Sequence, residues 1–152
     1  MSFAQRLTRT PRPHEADFAT EAAARFGDLA PELRDLLCGT AGCSPYLRGL
    51  MDRHEAWLRA ALDQGPELAM AGLMAEMAGL PDNELGAGLR QAKSRMALLT
   101  ALADLGGVWS LEEVTGTLTR FADLAVDRAL KAQIAVEIGR GKLPGQTGDD
   151  IA

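Results

Sequence analysis

The chain has 152 residues, enough for one domain with a substantial core, since a domain of this size buries roughly 70% of the surface that its unfolded chain exposes. It is 47% hydrophobic but only 5% aromatic, which suits packed helices better than a β-sandwich. With 16 basic and 21 acidic residues, its formal net charge is -5, so it has no long-range attraction to phosphate backbones. Nucleic-acid binding is therefore disfavoured.

Two cysteines and the lack of a signal peptide indicate a reducing, cytoplasmic location. The first dozen residues carry Arg6, Arg9 and Arg12 and no acid before Glu15. A transit peptide can have this composition, but a loose basic terminus that ends at the two prolines is the favoured interpretation, so residues 1–14 are expected to be flexible. No apolar run reaches the roughly 18 residues of a membrane span, and no membrane contact is expected.

Helical periodicity continues along the whole chain, and no stretch alternates with the period of two that marks strands. The segment Gly39–Cys43 is predicted to be a loop, after which Ser44 supplies an N-cap and Pro45 the first helical residue. Asp82 is a candidate cap in the turn before the fifth helix. The predicted helices cover 15–26, 31–38, 45–64, 66–79, 85–105 and 110–138.

The segment between the last two helices has unusually clear end signals. A glycine pair at 106–107 stops the fifth helix, and Ser110 with Glu113 forms an S-x-x-E capping box at the start of the sixth. Trp109 and Val114 occupy the two positions of a hydrophobic staple, so Trp109 is expected to be buried between the last two helices. The sequence predicts an all-α bundle of five or six helices in one domain, 1–152, with two long antiparallel C-terminal helices and a flexible tail, 142–152.

The residues that could carry chemistry do not form a familiar motif. Cys38 and Cys43 are the only thiols and His14 and His54 the only imidazoles, and their spacing does not match a zinc site. His54 lies at helical spacing among apolar residues, which favours an edge-of-core role over that of a catalytic base. Phosphate-binding loops, nucleophile elbows and zinc-protease motifs are absent. We expect no catalytic, cofactor-binding or metal-binding residue in the chain.

Two charged clusters have competing interpretations. Asp123 and Asp127 stand four residues apart and could share a cation, but Arg120, Arg128 and Lys131 lie within a turn of them, which favours a salt-bridged surface.

The second cluster, "LRQAKSR", places Arg90 and Lys93 one turn apart with Arg95 beside them. It could hold a phosphate or an acidic partner surface, but a solvated polar face opposite the apolar residues of the helix is the favoured interpretation. The role of these three residues stays open at the sequence level.

Two blocks resemble the N-terminal helical segment of glutamate–ammonia ligase (glutamine synthetase) adenylyltransferase/adenylyl-removing enzymes. They read "GCSPYLRGLMDRHEAWL" and "LRQAKSRMALLTALADLGGVWSLEEVTGTLTRFADLAV", and the resemblance covers Cys38 to Gly141. The second block is long and specific. Two departures stand out: Cys43 replaces the usual Asn, and "DRHEAWL" replaces an R-E-P-E-L-L type of run, although Arg53 and Glu55 remain.

The resemblance implies a bacterial enzyme with two nucleotidyltransferase domains, which use Mg²⁺ and ATP. One domain attaches AMP to a tyrosine of glutamine synthetase and the other removes it by phosphorolysis, under control of glutamine and the PII signal protein. The family's catalytic carboxylates lie in a Gly-Ser and Asp-x-Asp region beyond the helical segment. Asp149-Asp150 lacks the strand context and the spacing of that motif, so no catalytic residue is carried over.

The expected function is therefore a non-catalytic scaffold or regulatory part of the enzyme, packed on its own nucleotidyltransferase domain. The alternative is a self-standing helical adaptor that binds a protein through an exposed apolar groove. A reading frame that continues past Ala152 into G-x-G-K-x-G and S-D-x-D patterns would favour the first, and a stop codon there the second.

Overall fold

The structure, a computed structural model, describes residues 2–150, and within them it is all-α, as predicted. It has eight α-helices where five or six were expected, because a short helix precedes the first predicted one and the third predicted helix is divided. The two long C-terminal helices are confirmed. The helices are α1 (Phe3–Arg6), α2 (Ala16–Arg25), α3 (Pro31–Cys43), α4 (Pro45–Arg53), α5 (Glu55–Gln64), α6 (Pro66–Ala78), α7 (Leu85–Leu105) and α8 (Leu111–Gly139), with a 3-10 turn at Gly148–Asp150.

The predicted loop at Gly39–Cys43 is wrong, because these residues form the last turns of α3. The glycines there allow close packing. A Cβ on Gly39 would lie 1.9 Å from the carbonyl oxygen of Pro11, and one on Gly42 would lie 2.5 Å from the Cβ of Pro13. Both helix positions must be glycine because the N-terminal segment crosses directly over them.

Two predicted helix starts have different outcomes. Ser44 caps α4 as predicted, since its Oγ accepts a hydrogen bond from the backbone N–H of Leu47 at 3.2 Å. Asp82 is not a cap. Glu84 occupies the N-cap position of α7 without a side-chain bond, and the Asp82 carboxylate lies 3.8 Å from the Arg128 guanidinium instead.

The predicted helix over 45–64 is interrupted at His54, which ends α4 and begins α5. The backbone N–H of His54 still donates to the Leu50 carbonyl at 3.0 Å, and its own carbonyl accepts from Leu58 at 2.8 Å. The chain therefore bends at this residue without losing its hydrogen bonds. The predicted apolar face is retained, with Leu50, Leu58 and Ala61 buried.

One continuous apolar core joins the helices, and it includes residues from every one of them. Its fully enclosed side chains come mainly from α3, α5, α6 and α7. At the edge of this core, Arg25 and Arg59 lie over the ring of Phe26 and share the Glu55 carboxylate. The largest fully buried side chains are Phe3, Phe26, Leu36, Leu37, Met51, Leu58, Leu62, Leu73, Met77, Leu98, Leu99 and Leu102.

The N-terminal segment was expected to be loose, but residues 2–15 lie against the helical body. Phe3 has no exposed surface and belongs to the core, and the backbone N–H of Glu15 donates to the Gly42 carbonyl at 2.9 Å. We call residues 2–15 the N-terminal strap. Residue 1 lies outside the described residues, as do 151 and 152 of the tail that was expected to be flexible.

Candidate functional site

The corner between α7 and α8 consists of residues 106–110, and it begins with a motif that ends α7. Gly107 adopts the left-handed conformation, with φ at 63°, which glycine reaches without steric cost. The N–H of Gly107 donates to the Asp104 carbonyl at 3.0 Å, and that of Val108 donates to the Ala103 carbonyl at 2.8 Å. These two bonds form a Schellman motif, so the end of α7 is fixed by its own glycine pair.

The start of α8 is fixed as predicted. The Oγ of Ser110 accepts from the N–H of Glu113 at 3.2 Å, and the Glu113 carboxylate accepts from the N–H of Ser110 at 2.7 Å. This is a complete capping box. Glu112 and Glu113 also place negative charge in the first turn, where the helix dipole favours it.

The N-terminal strap is a third support for the corner, one that was not predicted from the sequence. The N–H groups of Thr8 and Arg9 both donate to the Gly106 carbonyl, at 3.0 and 3.3 Å. The Arg9 guanidinium donates to the carbonyls of Asp104, at 2.7 Å, and Leu105, at 3.3 Å. Carbonyls at a helix C-terminus have no partner within the helix, so the strap satisfies them and places a positive charge there.

Glu67 of α6 links the strap to the corner. Its carboxylate accepts from the Arg6 guanidinium and, at 2.7 Å, from the indole N–H of Trp109, while Arg6 also donates to the Val108 carbonyl at 2.9 Å. Partial burial opposes ionisation, but the bonds from Arg6 and Trp109 outweigh it and lower the pKa of Glu67. Glu67 is therefore charged at neutral pH.

Trp109 is buried as predicted, with 6% of its surface exposed. It lies beside α6 and the first turns of α8, and its indole N–H reaches Glu67 of α6, a partner that was not predicted. Val114 is half-buried against the same core. The corner therefore attaches α8 to α6 as well as to α7.

A groove of about 460 Å³ runs beside this corner. We call it the α6–α8 groove. One side comes from α6, the other from α8, and Trp109 lies at the end near the corner. Its lining residues are Glu67, Met70, Ala71, Met74, Trp109, Glu112, Glu113, Thr117 and Arg120.

His54 is buried and hydrogen-bonds to a serine. Catalytic pairs of a serine nucleophile and a histidine base are made of the same two residue types, so the geometry of this pair decides whether it matches them. Its Nε2 lies 2.9 Å from the Oγ of Ser94, and that hydroxyl also lies 2.9 Å from the Gln91 carbonyl. The Ser94 hydroxyl has one hydrogen, which it can donate to the Gln91 carbonyl. Its oxygen then accepts a hydrogen bond from the imidazole N–H of His54. Burial, followed by the charges of Arg95 and Arg53, lowers the pKa of His54. This arrangement joins His54, at the junction of α4 and α5, to α7.

The three basic residues of the LRQAKSR segment lie on different faces of α7. Arg95 points toward α6, where its guanidinium lies 3.2 Å from Glu76 and over the ring of Trp57. Arg90 and Lys93 are exposed on the other face of α7. The three cations therefore do not form one phosphate-binding cluster.

The carboxylates Asp123 and Asp127 are both exposed on α8. The predicted ion pair between Asp127 and Lys131 is confirmed at 3.2 Å. Arg128 instead turns toward the Leu80 carbonyl, which it reaches with a short hydrogen bond.

The two thiols are separate. Cys38 is half-buried, and burial is the main cause that raises the pKa of its thiol. Cys43 is exposed, and its Sγ donates to the Arg12 carbonyl of the strap at 2.9 Å. Among the residues that the structure describes, no group of three or more His, Cys, Asp or Glu side chains could hold a metal ion. No helix within 2–150 combines the length and apolar character needed to cross a bilayer.

The second half of α8 has an apolar stripe that faces away from the body. Phe121 is the last buried residue of the helix, and Leu130, nine residues later, lies about 180° round the helix from it. Val126, Leu130 and Ile134 follow at intervals of four, and Val126 and Leu130 are 65% and 56% exposed. We call Val126, Leu130, Ile134 and Ile138 the outer stripe, of which the valine and the leucine are exposed and the two isoleucines half-buried.

Fold and site thus define an all-α segment in which a corner held by several hydrogen bonds is followed by a long helix with an exposed apolar side. Residues 35–151 match the family described as glutamate-ammonia ligase adenylyltransferase. The chain belongs to this family. No significant match was found among solved structures.

The similar proteins are described as bifunctional glutamine synthetase adenylyltransferase/adenylyl-removing enzymes. The chain is 39% identical to that of Caulobacter vibrioides over 92% of its own length and 15% of the relative's. It is 41% identical to that of Bradyrhizobium diazoefficiens over 76% of its length and 12% of the relative's, and 35% identical to that of Rhodopseudomonas palustris strain TIE-1 over 86% and 13%. The chain therefore spans a small part of the relatives that it matches.

Proposed function

We propose that this chain is the helical segment of a glutamine synthetase adenylyltransferase/adenylyl-removing enzyme, and that it orients the catalytic part without transferring AMP itself. The activity proposed for the whole enzyme is attachment of AMP to a tyrosine of glutamine synthetase and its phosphorolytic removal. Glutamine synthetase is then the substrate of the whole enzyme, and PII its regulator.

The observation that carries this proposal is the outer stripe of α8. Exposed apolar residues in a continuous patch mark surfaces that bind another protein or domain. The relatives contain about seven times as much chain as the segment that aligns here, since the alignment covers 15% of the Caulobacter vibrioides protein. We therefore assign the outer stripe to contact with the nucleotidyltransferase domain of the same enzyme.

The arrangement of the reactive side chains supports a positioning role. His54 bonds to Ser94 of α7 and Glu67 of α6 bonds to Trp109 of the corner, so both join separate elements, and Asp127 pairs with Lys131 within α8. For the Mg²⁺ expected of the whole enzyme, residues 2–150 offer no group of three or more His, Cys, Asp or Glu side chains that could hold a metal ion. No step of AMP transfer is assigned to this chain.

The first test is enzymatic. The purified chain, free of full-length enzyme, is incubated with glutamine synthetase, ATP and Mg²⁺, and AMP attachment is measured by mass spectrometry. Adenylylated glutamine synthetase with inorganic phosphate tests removal. We expect no transfer above background in either direction, and transfer by the chain alone would contradict the proposal.

The second test concerns the outer stripe. In the full-length enzyme, Leu130→Glu should lower both activities at least about tenfold, because it places a charge in a proposed apolar contact. Ala129→Glu is the matched control, since it adds the same charge to an exposed residue about 100° round the helix. Equal activity of the two variants would refute the assigned contact.

A self-standing adaptor is the second candidate, and the α6–α8 groove favours it. The two candidates differ in the outer-stripe test. An adaptor would bind its partner through the groove, and Leu130→Glu would leave that binding unchanged.

A further inference from the structure

We propose that the α6–α8 groove binds an amphipathic helix whose apolar face is bordered by lysine or arginine. The partner is defined by this chemistry, and the inference holds whether or not the proposed function is correct. Three features of the groove carry it: the apolar character of α6, the charge of the rim and the length of the two walls.

The α6 wall is apolar although it lies at the surface. Between Glu67 and Glu76 the helix carries no charged residue on any face. A helix that is apolar all round is usually enclosed, but Ala71 is exposed in the groove and Met74 only half-buried there. Methionine side chains adapt their shape and are common where a protein binds helical segments.

Gly72 leaves open space on the surface of α6. A Cβ built on it would meet no atom within 4 Å, so no part of the described chain packs closely against it. A glycine inside a helix destabilises it relative to alanine. Its presence on the exposed side of α6 gives a partner room to approach the backbone beside the groove.

The rim is acidic. Glu67, Glu112 and Glu113 line the groove, and Arg120 is the one cation among the lining residues. Arg6 already pairs with Glu67, and Arg120 donates to Thr117 at 3.2 Å. Glu112 makes no ion pair within residues 2–150, so it is available to a basic partner.

The length of the walls fits about two turns of helix. The α6 wall runs from Glu67 to Met74, eight residues, and the α8 wall runs from Glu112 to Arg120, nine residues. At 1.5 Å per residue, the walls are about 10–12 Å long. This length accepts apolar anchors at positions i, i+3, i+4 and i+7 of a partner helix, the spacing by which helices bind in grooves.

The test uses two synthetic helical peptides with the same four leucine anchors. In one the flanking positions are lysine, and in the other glutamate. Trp57→Phe leaves Trp109 as the only tryptophan of the chain, so its fluorescence reports on the groove wall directly. Titration of the 152-residue chain with each peptide should give a saturable change with the lysine peptide and at least about tenfold weaker binding with the glutamate peptide.

Two further variants locate the site. Ala71→Arg places a bulky cation in the groove and should weaken the lysine peptide at least about tenfold. Ala75→Arg is the matched control, because Ala75 is equally exposed on α6 but does not line the groove. Circular dichroism verifies that both variants fold.

Loss of binding in Ala71→Arg with retention in Ala75→Arg would support the proposal. Three results would overturn it: no saturable change with the lysine peptide, equal affinity for the two peptides, or equal weakening by the two arginine variants.

Discussion

Replacement of Trp109 by alanine should destabilise the chain far more than removal of the neighbouring helix cap. Trp109 is only 6% exposed, and its indole N–H connects the corner to α6 through Glu67. Truncation of a buried tryptophan costs about 3–5 kcal/mol. Loss of the Ser110 hydroxyl costs about 1 kcal/mol, the usual value for an N-cap.

These free energies translate into a measurable difference in melting temperature. In a chain of this size, 1 kcal/mol shifts Tm by about 2–4 °C, so Trp109→Ala should lower Tm by roughly 6–20 °C and Ser110→Ala by about 2–4 °C. Far-UV circular dichroism is the suitable assay, because the first variant loses its fluorophore.

Trp109→Phe separates packing from hydrogen bonding. It keeps an aromatic ring but removes the indole N–H that Glu67 accepts, and Glu67 is 58% exposed and still pairs with Arg6. The cost should be about 1.5 kcal/mol, the low end for a hydrogen bond to a charged group, because solvent screens the exposed Glu67 carboxylate. If Trp109→Ala melts no lower than Ser110→Ala, the indole does not hold the corner, and the reasoning is refuted.

The remaining predictions concern glycines and histidines. Gly39→Ala should destabilise the chain because its Cβ would collide with Pro11, whereas Gly72→Ala, with open space around it, should stabilise it by about 0.5–1 kcal/mol. Urea unfolding measures both free-energy changes. If both variants were stabilised or both destabilised, the packing described would be contradicted. Burial lowers the pKa of folded His54, so the unfolded chain binds a proton first, and stability should fall as pH drops below about 6.5. His54→Gln should flatten this dependence below about pH 6.5 in a denaturation series. His14→Gln, a change at an exposed side chain, should leave it intact.

Features set by neighbours within one helical turn could be predicted from the sequence. Ser44 and Ser110 bond to N–H groups three residues away, so residue type and spacing carried enough information. The same holds for Asp127 and Lys131, four residues apart on one helix. All of these are local interactions.

Features set by distant neighbours could not be predicted in this way. The glycines at 39 and 42 have the local signature of a loop, and only the crossing of the strap, nearly thirty residues earlier in the chain, explains them as helical. The arginines of the strap bond to carbonyls that lie about a hundred residues further on. A single sequence contains no periodicity that pairs such positions, so the strap was expected to be loose.

The α6–α8 groove and the neighbours of Trp109 belong to this second group. The alternative of an adaptor with an exposed apolar groove was open at the sequence level, but no residue could be assigned to that groove. Trp109 was expected between the last two helices because its neighbours in sequence belong to them. Its hydrogen-bond partner, Glu67, lies 42 residues away on α6, and only the fold brings the two together.

Under the proposed function, the length of α8 explains why the corner is held by several sets of hydrogen bonds. Helix α8 has 29 residues and so is about 43 Å long. A tilt of about 10° at Ser110 would displace Gly139 by roughly 7 Å, because the displacement grows with helix length. Misplacement of reacting groups by about 1 Å can cost a factor of about 100 in rate. A helix that positions a catalytic domain at its far end therefore needs its near end fixed on several sides. The Schellman motif, the capping box and the N-terminal strap provide this restraint, and none of them needs a catalytic residue.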